Sequence, residues 1–266
     1  MRLPISPFGV VLVTLAAVGL SPAPEPARSG RAPGAVTGHD DPADFPHEFY
    51  FTRAIYSGWG YGGRGGGSWT TDYPKADNQF LVGVLRLMRI DAYAHDHAVR
   101  LDDPELYRFP FLYLVEPGRG MNLTEEEVVA LRRYLLAGGF LVVDDFWSSY
   151  QWLNREDQIM RVLPGYKIVD LPLEHKIFHG MYDVKQIEQV PNVNNACRGG
   201  PYWEQDGYQP FVKGIFDQQD RLIVVINWNT DLGDAWEWAE QPCYPLKLST
   251  YAWEMGINFI VYGMSH

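Results

Sequence analysis

The sequence predicts one doubly wound α/β domain, built on a mostly parallel sheet with helices on both faces. Three observations predict it. The runs Phe109–Val115 and Phe140–Val143 are almost continuously apolar, as strands covered on both faces are. Between the strand-like runs lie segments whose apolar residues recur at helical spacing. The two kinds of segment alternate along the chain, with no internal repeat and no sign of a second domain.

The elements follow in order. Residues 1–23 read as an export signal: Arg2 supplies a positive start, and Phe8–Leu20 is an uncharged apolar run of 13 residues. That is short of the roughly 20 residues a membrane span needs. Ser21-Pro22-Ala23 offers small residues for cleavage, and an uncleaved anchor is the alternative; in either form only this segment engages a membrane. No cysteine follows the run, which excludes a lipoprotein anchor. Residues 24–46 are rich in proline and poor in large apolar side chains, the composition of a disordered tether. The folded domain is therefore expected over 47–266, in an exported protein of the periplasm or the extracellular space.

Phe49–Tyr56 is the first expected strand, running into a glycine-rich stretch. Asp77 is a plausible N-cap for a helix with Phe80, Leu81, Val84, Leu85 and Met88 on one face. After the strand Phe109–Val115, Thr124 and Glu127 have capping-box spacing ahead of Val128, Leu131 and Leu135, and Gly138-Gly139 ends that helix. The strand Phe140–Val143 runs into Asp144-Asp145. A helix from Tyr150 to Leu163 closes at Pro164-Gly165, and Lys167–Val169 reads as a short strand. Val212–Phe216 and Arg221–Asn227 read as a hairpin, and Leu248, Tyr251, Ala252, Met255 and Phe259 as a closing helix.

Composition limits the functions available. The net charge of −11 argues against nucleic acid, whose phosphates need a basic face. Two cysteines are too few for a disulfide scaffold or an all-thiolate zinc site. An oxidising compartment permits Cys197 and Cys243 to pair, and both are placed in late loops.

The ordered set Trp69–Pro74, Phe111–Tyr113, Gly138–Asp145, His175–Phe178 and Asp231–Glu237 resembles the DUF4159 family over about residues 47–264. That family is uncharacterised, and its fold is similar to class I glutamine amidotransferases. The resemblance implies a flavodoxin-like sheet and no established activity. Amidotransferases carry a cysteine on the strand-to-helix elbow. Here the residues after Val143 are Asp144, Asp145, Phe146 and Trp147, and a carboxylate cannot do thioester chemistry, so glutaminase activity is not expected.

Candidate ligand-binding residues gather at four segments expected at the carboxyl ends of the strands, where open α/β sheets bind ligands. They are Trp69 and Asp72; Asp144, Asp145 and Trp147; His175; and Asp231, Trp236 and Glu237. Acids beside aromatics suit sugar stacking or cation binding; the competing explanation is an aromatic lid packed on the core with solvated acids. Gly58–Gly67 holds seven glycines but no Gly-Lys-Ser/Thr, so it reads as a loop or lid and not a phosphate loop. His95 and His97 supply two imidazoles without a placed third ligand, and His175 and His179 sit in a loop. No metal site and no cofactor is assigned.

Three function classes stand open, with catalysis undecided. The leading one is an exported, non-glutaminase module that binds a glycan-like or cationic ligand, such as a glycan or other envelope component. The others are a glycan hydrolase using Asp or Glu acid–base pairs about 5–9.5 Å apart, and a metal-dependent enzyme, which a tight cluster of three ligands would favour.

Overall fold

A computed structural model describes residues 47–60, 63, 64 and 68–265. The expected signal and tether, and part of the Gly58–Gly67 run, lie outside the described residues. The strands are β1 (Thr52–Ile55), β2 (Trp59–Gly60), β3 (Gly63–Arg64), β4 (His97–Arg100), β5 (Phe111–Val115), β6 (Phe140–Asp144), β7 (Ile168–Asp170), β8 (Phe211–Phe216) and β9 (Leu222–Trp228). The helices are α1 (Lys75–Leu87), α2 (Glu125–Leu136), α3 (Ser148–Val162), α4 (Val193–Arg198), α5 (Leu232–Glu237) and α6 (Leu246–Ser265).

Seven strands form one mixed sheet in the order β4-β1-β5-β6-β9-β8-β7. The first five are mutually parallel. β8 and β7 add an antiparallel edge, with β8 and β9 forming the expected hairpin. From β1 the chain goes outward to β4, then returns to the other side for β5, β6 and β9. The strand order therefore reverses between β1 and β5.

The central strands divide their side chains by the two-residue period of a strand. Phe111, Tyr113 and Val115 of β5 join the core beneath α1 and α6, whereas Leu112 and Leu114 face α2 and α3. β6 does the same, with Phe140 and Val142 on one side and Leu141 and Val143 on the other. Both faces are thus covered, and the fold is α/β. The Thr124–Glu127 capping box forms in full.

Two details of the sequence reading are corrected. Helix α1 begins at Lys75, so Asp77 lies inside its first turn rather than at its cap. Asp77 is drawn inward because it carries the counter-charge of Arg53, and both side chains are fully buried. Cys197 lies on α4 rather than in a loop, and it is disulfide-bonded to Cys243.

Candidate carboxylate centre at the strand ends

The site is assembled by the segments that leave the carboxyl ends of the parallel strands. Arg53 of β1 holds the first. Its guanidinium pairs with Asp77 and donates to the carbonyls of Trp69 (3.1 Å) and Thr71 (2.7 Å). That grip fixes the turn that presents Asp72. Asp72 has a left-handed backbone (φ 59°), a conformation that Asp tolerates better than most residues.

The second segment is the elbow after β6. Asp144 is fully buried, and one of its oxygens takes three hydrogen bonds: from the Tyr113 hydroxyl (2.6 Å) and from the amides of Leu232 (3.0 Å) and Gly233 (3.3 Å). It therefore caps the amino end of α5 from a neighbouring strand. Asp145 turns the other way through a left-handed backbone (φ 51°), and its Oδ1 accepts from the Trp147 indole (3.1 Å).

The third segment follows β9. Asp231 is the N-cap of α5, accepting from the Asp234 amide (2.7 Å), and Asp234 in turn accepts from the Val193 amide (2.6 Å). Gly233 lets this turn close on Asp72. A Cβ there would stand 3.0 Å from Asp72 Oδ2 and 3.2 Å from the Tyr113 hydroxyl.

These contacts bring acids together in two triads that share Asp72. Oxygens of Asp72, Asp145 and Asp231 lie within 4.8 Å of one another, and so do oxygens of Asp72, Asp234 and Glu237. The second triad is partly compensated, since Lys75 lies 3.6 Å from Glu237 and the Val193 amide serves Asp234. In the first triad no member forms an ion pair among the described residues. Asp72 Oδ2 is shielded from solvent and accepts no hydrogen bond among them.

The cost is visible in proton affinity. Burial, then the mutual repulsion of the acids, holds the carboxyls of Asp72, Asp145 and Asp231 well above the usual carboxylate range. Burial pushes Asp144 and Asp234 each up to about 6. Glu116, which follows β5 with its own left-handed backbone, is pushed by burial up to about 7 and shares a hydrogen bond with Asp145. Such a set takes up protons more readily than solvated carboxylates do.

A family model described as "Domain of unknown function (DUF4159)" matches residues 53–264. The chain belongs to the DUF4159 family. No curated protein matches it. Every carboxylate of the centre lies within the DUF4159 match.

In this DUF4159 domain Asp72, Asp145, Asp231 and Glu237 converge, and Asp144 supports them from below. Trp147 is buried and holds Asp145. Trp69 is half-buried, with its carbonyl serving Arg53. Two sequence-derived placements are corrected. Trp236 is 1% exposed and stacks on Phe80 at 4.3 Å, so it belongs to the core and offers no surface to a ligand. His175 sits at the opposite end of the sheet, capping a 3₁₀ turn and packing against Phe216 and Tyr262. The β8–β9 hairpin runs antiparallel, so Phe216, at the end of β8, lies beside the start of β9. His97 is held down to about 4 by burial and packs on Phe109, so it is not placed as a ligand.

Sequence reasoning left Arg53, Glu116 and Asp234 off the candidate site. Glu116 carried a usable signal, since it directly follows an apolar strand, as Asp144-Asp145 does. Arg53 carried one too: a lone cation inside a β-rich run needs a buried partner.

Proposed function

We propose that this domain binds a hard divalent cation, Mg²⁺, Ca²⁺ or Mn²⁺, in the Asp72–Asp145–Asp231 triad. The observation that carries the reading is the shielded Asp72 Oδ2, which accepts no hydrogen bond among the described residues and stands among carboxylates that form no ion pair there. Oxygen-only ligands select these ions over zinc or copper. Asp234 and Glu116 border the triad and add negative potential. A tight cluster favours a cation centre over the acid–base hydrolase, whose carboxyl groups face each other across an open cleft with room for substrate and water.

The parallel strands, renumbered along the chain, run 2-1-3-4-5, and the acids lie at their carboxyl ends. That order supports placing the fold in the flavodoxin-like class, near the class I glutamine amidotransferases. The elbow residue at positive φ is Asp145, where a nucleophilic thiol would be required, and both cysteines are bonded to each other. These facts support a non-glutaminase role. The Phe8–Leu20 run and the disulfide support an exported protein of the cell envelope. Among the described residues no helix is long and apolar enough to cross a membrane.

The test is calorimetric titration of EDTA-treated protein with MgCl₂, CaCl₂ and MnCl₂ at pH 6 and pH 8. Saturable binding that strengthens toward pH 8 and releases protons is expected, because the ion must displace protons from the triad. The pair Asp72→Asn, Asp145→Asn should abolish it. Absence of binding by all three ions at millimolar concentration and pH 8 would overturn the reading.

A further inference from the structure

A second feature lies at the point where the strand order reverses. A cleft of about 540 Å³ opens there, lined by Trp59, Ser68, Gly118, Arg119, Tyr150, Gln151 and Gln205. That volume falls within the roughly 300–1,000 Å³ of small-ligand sites. None of its lining side chains is a carboxylate.

The walls are fixed by hydrogen bonds rather than by chance proximity. On one side the Trp59 amide donates to the Gly120 carbonyl (2.8 Å), and the Asn122 amide donates to the Ser57 carbonyl (2.9 Å). On the other, the Asn154 amide group donates to the Pro117 carbonyl (3.0 Å), anchoring α3 to the same turn. Gly118 makes the floor tight, since a Cβ there would stand 2.4 Å from the Gln151 Cβ. The Ser149 amide donates to Asp206 (2.9 Å), which ties the Gln205 turn to the start of α3. Trp59 and Tyr150 thus flank the Gly118–Gly120 floor from different elements.

Both aromatics stand exposed above a buried floor: Trp59 is 64% exposed and Tyr150 76%, with Arg119 and Gln205 exposed beside them, whereas Ser68, Gly118 and Gln151 are buried. Large aromatic faces left in water beside a shaped polar floor mark a contact surface. The floor's chemistry narrows the ligand. Gln151 Oε1 accepts from the Trp147 amide (2.8 Å), which leaves its NH₂ to donate. The Ser68 hydroxyl and the Gln205 amide offer both roles. Arg119 disfavours a cationic ligand, and its pairing with Glu116 (2.9 Å), with Glu204 at 3.8 Å, leaves little charge for an anionic one. The chain's net charge of −11 further disfavours polyanions.

We propose that this cleft binds a neutral saccharide, with sugar rings on the faces of Trp59 and Tyr150 and hydroxyls bonded by Ser68, Gln151 and Gln205. The site uses none of the triad carboxylates, so it stands or falls apart from the cation centre. Its aromatics are also not those of the Asp231–Trp238 segment, to which the sequence drew attention.

The experiment titrates the purified protein with N-acetylchitotetraose, cellotetraose, maltotetraose and tetragalacturonate. Each is followed by calorimetry and tryptophan fluorescence, once in EDTA and once in MgCl₂. At least one neutral tetrasaccharide is expected to bind saturably in EDTA. Trp59→Ala and Tyr150→Ala should each weaken that binding by about tenfold or more, without moving the melting transition, because both rings are exposed. Binding by none of the neutral sugars, binding by the uronate alone, or undiminished binding by both variants would overturn the proposal. Saccharide binding without any cation binding would sink the cation reading and leave this one intact, and the converse result would do the reverse.

Discussion

The two ends of the sheet treat buried aspartates in opposite ways. At the amino end, Asp217 sits in the β8–β9 turn with a side chain only 6% exposed. Burial, which would raise its proton affinity, is outweighed by the amides of Arg221 and Gln219 and by the Arg221 guanidinium (3.0 Å), so its carboxyl stays below the usual range. At the carboxyl end, Asp145 is more deeply buried and has an indole and other acids for neighbours, and burial first, then those acids, hold its carboxyl well above that range. A guanidinium bonds Asp217 directly, whereas among the described residues none bonds Asp145. Burying an acid without a counter-charge costs stability, and that is the cost the cation proposed for the triad would offset.

The largest effect should come from removing the buried guanidinium of Arg53 from the carboxyl end. Arg53→Ala leaves Asp77 buried and uncompensated and releases the turn that carries Asp72. It is expected to cost about 3–5 kcal/mol, read as the urea midpoint, and to weaken cation binding. A loss below 1 kcal/mol would mean that the Arg53–Asp77 pair contributes little. Next in size is the disulfide, which ties α4 to the segment before Tyr244; the Tyr244 hydroxyl bonds the Pro191 carbonyl (2.7 Å), two residues before the amide that serves Asp234. Replacing both cysteines by serine should cost about 3–4 kcal/mol, the chain-entropy estimate for a loop spanning 46 residues. The amino end, distant from α4, should keep its hydrogen-exchange protection longest.

The fold was largely legible in the sequence because its signals are local. The strands Phe111–Val115 and Phe140–Asp144 announce double-sided burial by their unbroken apolar runs, and Thr124–Glu127 announces its helix by a cap that spans three residues. The candidate site was legible only in part. Asp145 and Asp231 could be placed at strand ends because each follows an apolar run within a few residues. Whether Trp236 faced solvent or core depended on Phe80, more than 150 positions earlier, and no local pattern carries that. His175 was misplaced because the chain doubles back after β7: Asp170 pairs with Lys213 toward the carboxyl ends, whereas His175 packs on Phe216 at the amino end. Trp59 and Tyr150 were not joined because the turn between them, at Gly118, is supplied by a third segment.

A smaller effect tests the carboxyl end by pH. Its raised carboxyls bind more protons folded than unfolded, so stability should fall as pH rises from about 4 and should go on falling through about 6, for Asp144 and Asp234, and about 7, for Glu116. The penalty is complete only above the folded values. Saturating Mg²⁺ or Ca²⁺ should flatten the slope, because bound ions favour the deprotonated native state. Asp145→Asn is the matching variant. Asn accepts the left-handed backbone and keeps an oxygen for the Trp147 indole, so only the charge is removed. In EDTA at pH 8 it is expected to raise stability by on the order of 1 kcal/mol while losing the ion. Destabilisation by this variant would show that Asp145 is already compensated.

The smallest expected effect comes from the end of the sheet that should be indifferent. His175 accepts from the Ile177 amide (3.2 Å) as the cap of a 3₁₀ turn. Its ring lies against Phe216 and Tyr262, beside the start of β9 and the far end of α6. Removing it with His175→Ala should cost about 0.5–1 kcal/mol, the usual range for a lost N-terminal cap. It should leave Mg²⁺ and Ca²⁺ affinity at pH 8 within twofold of the parent. The sequence grouped His175 with the acids, and a histidine ligand would give a much larger loss of affinity together with a new titration step near neutral pH. A tenfold loss of cation affinity in His175→Ala, with Asp145→Asn behaving like the parent, would move the ion to the amino end and reverse the contrast between the two.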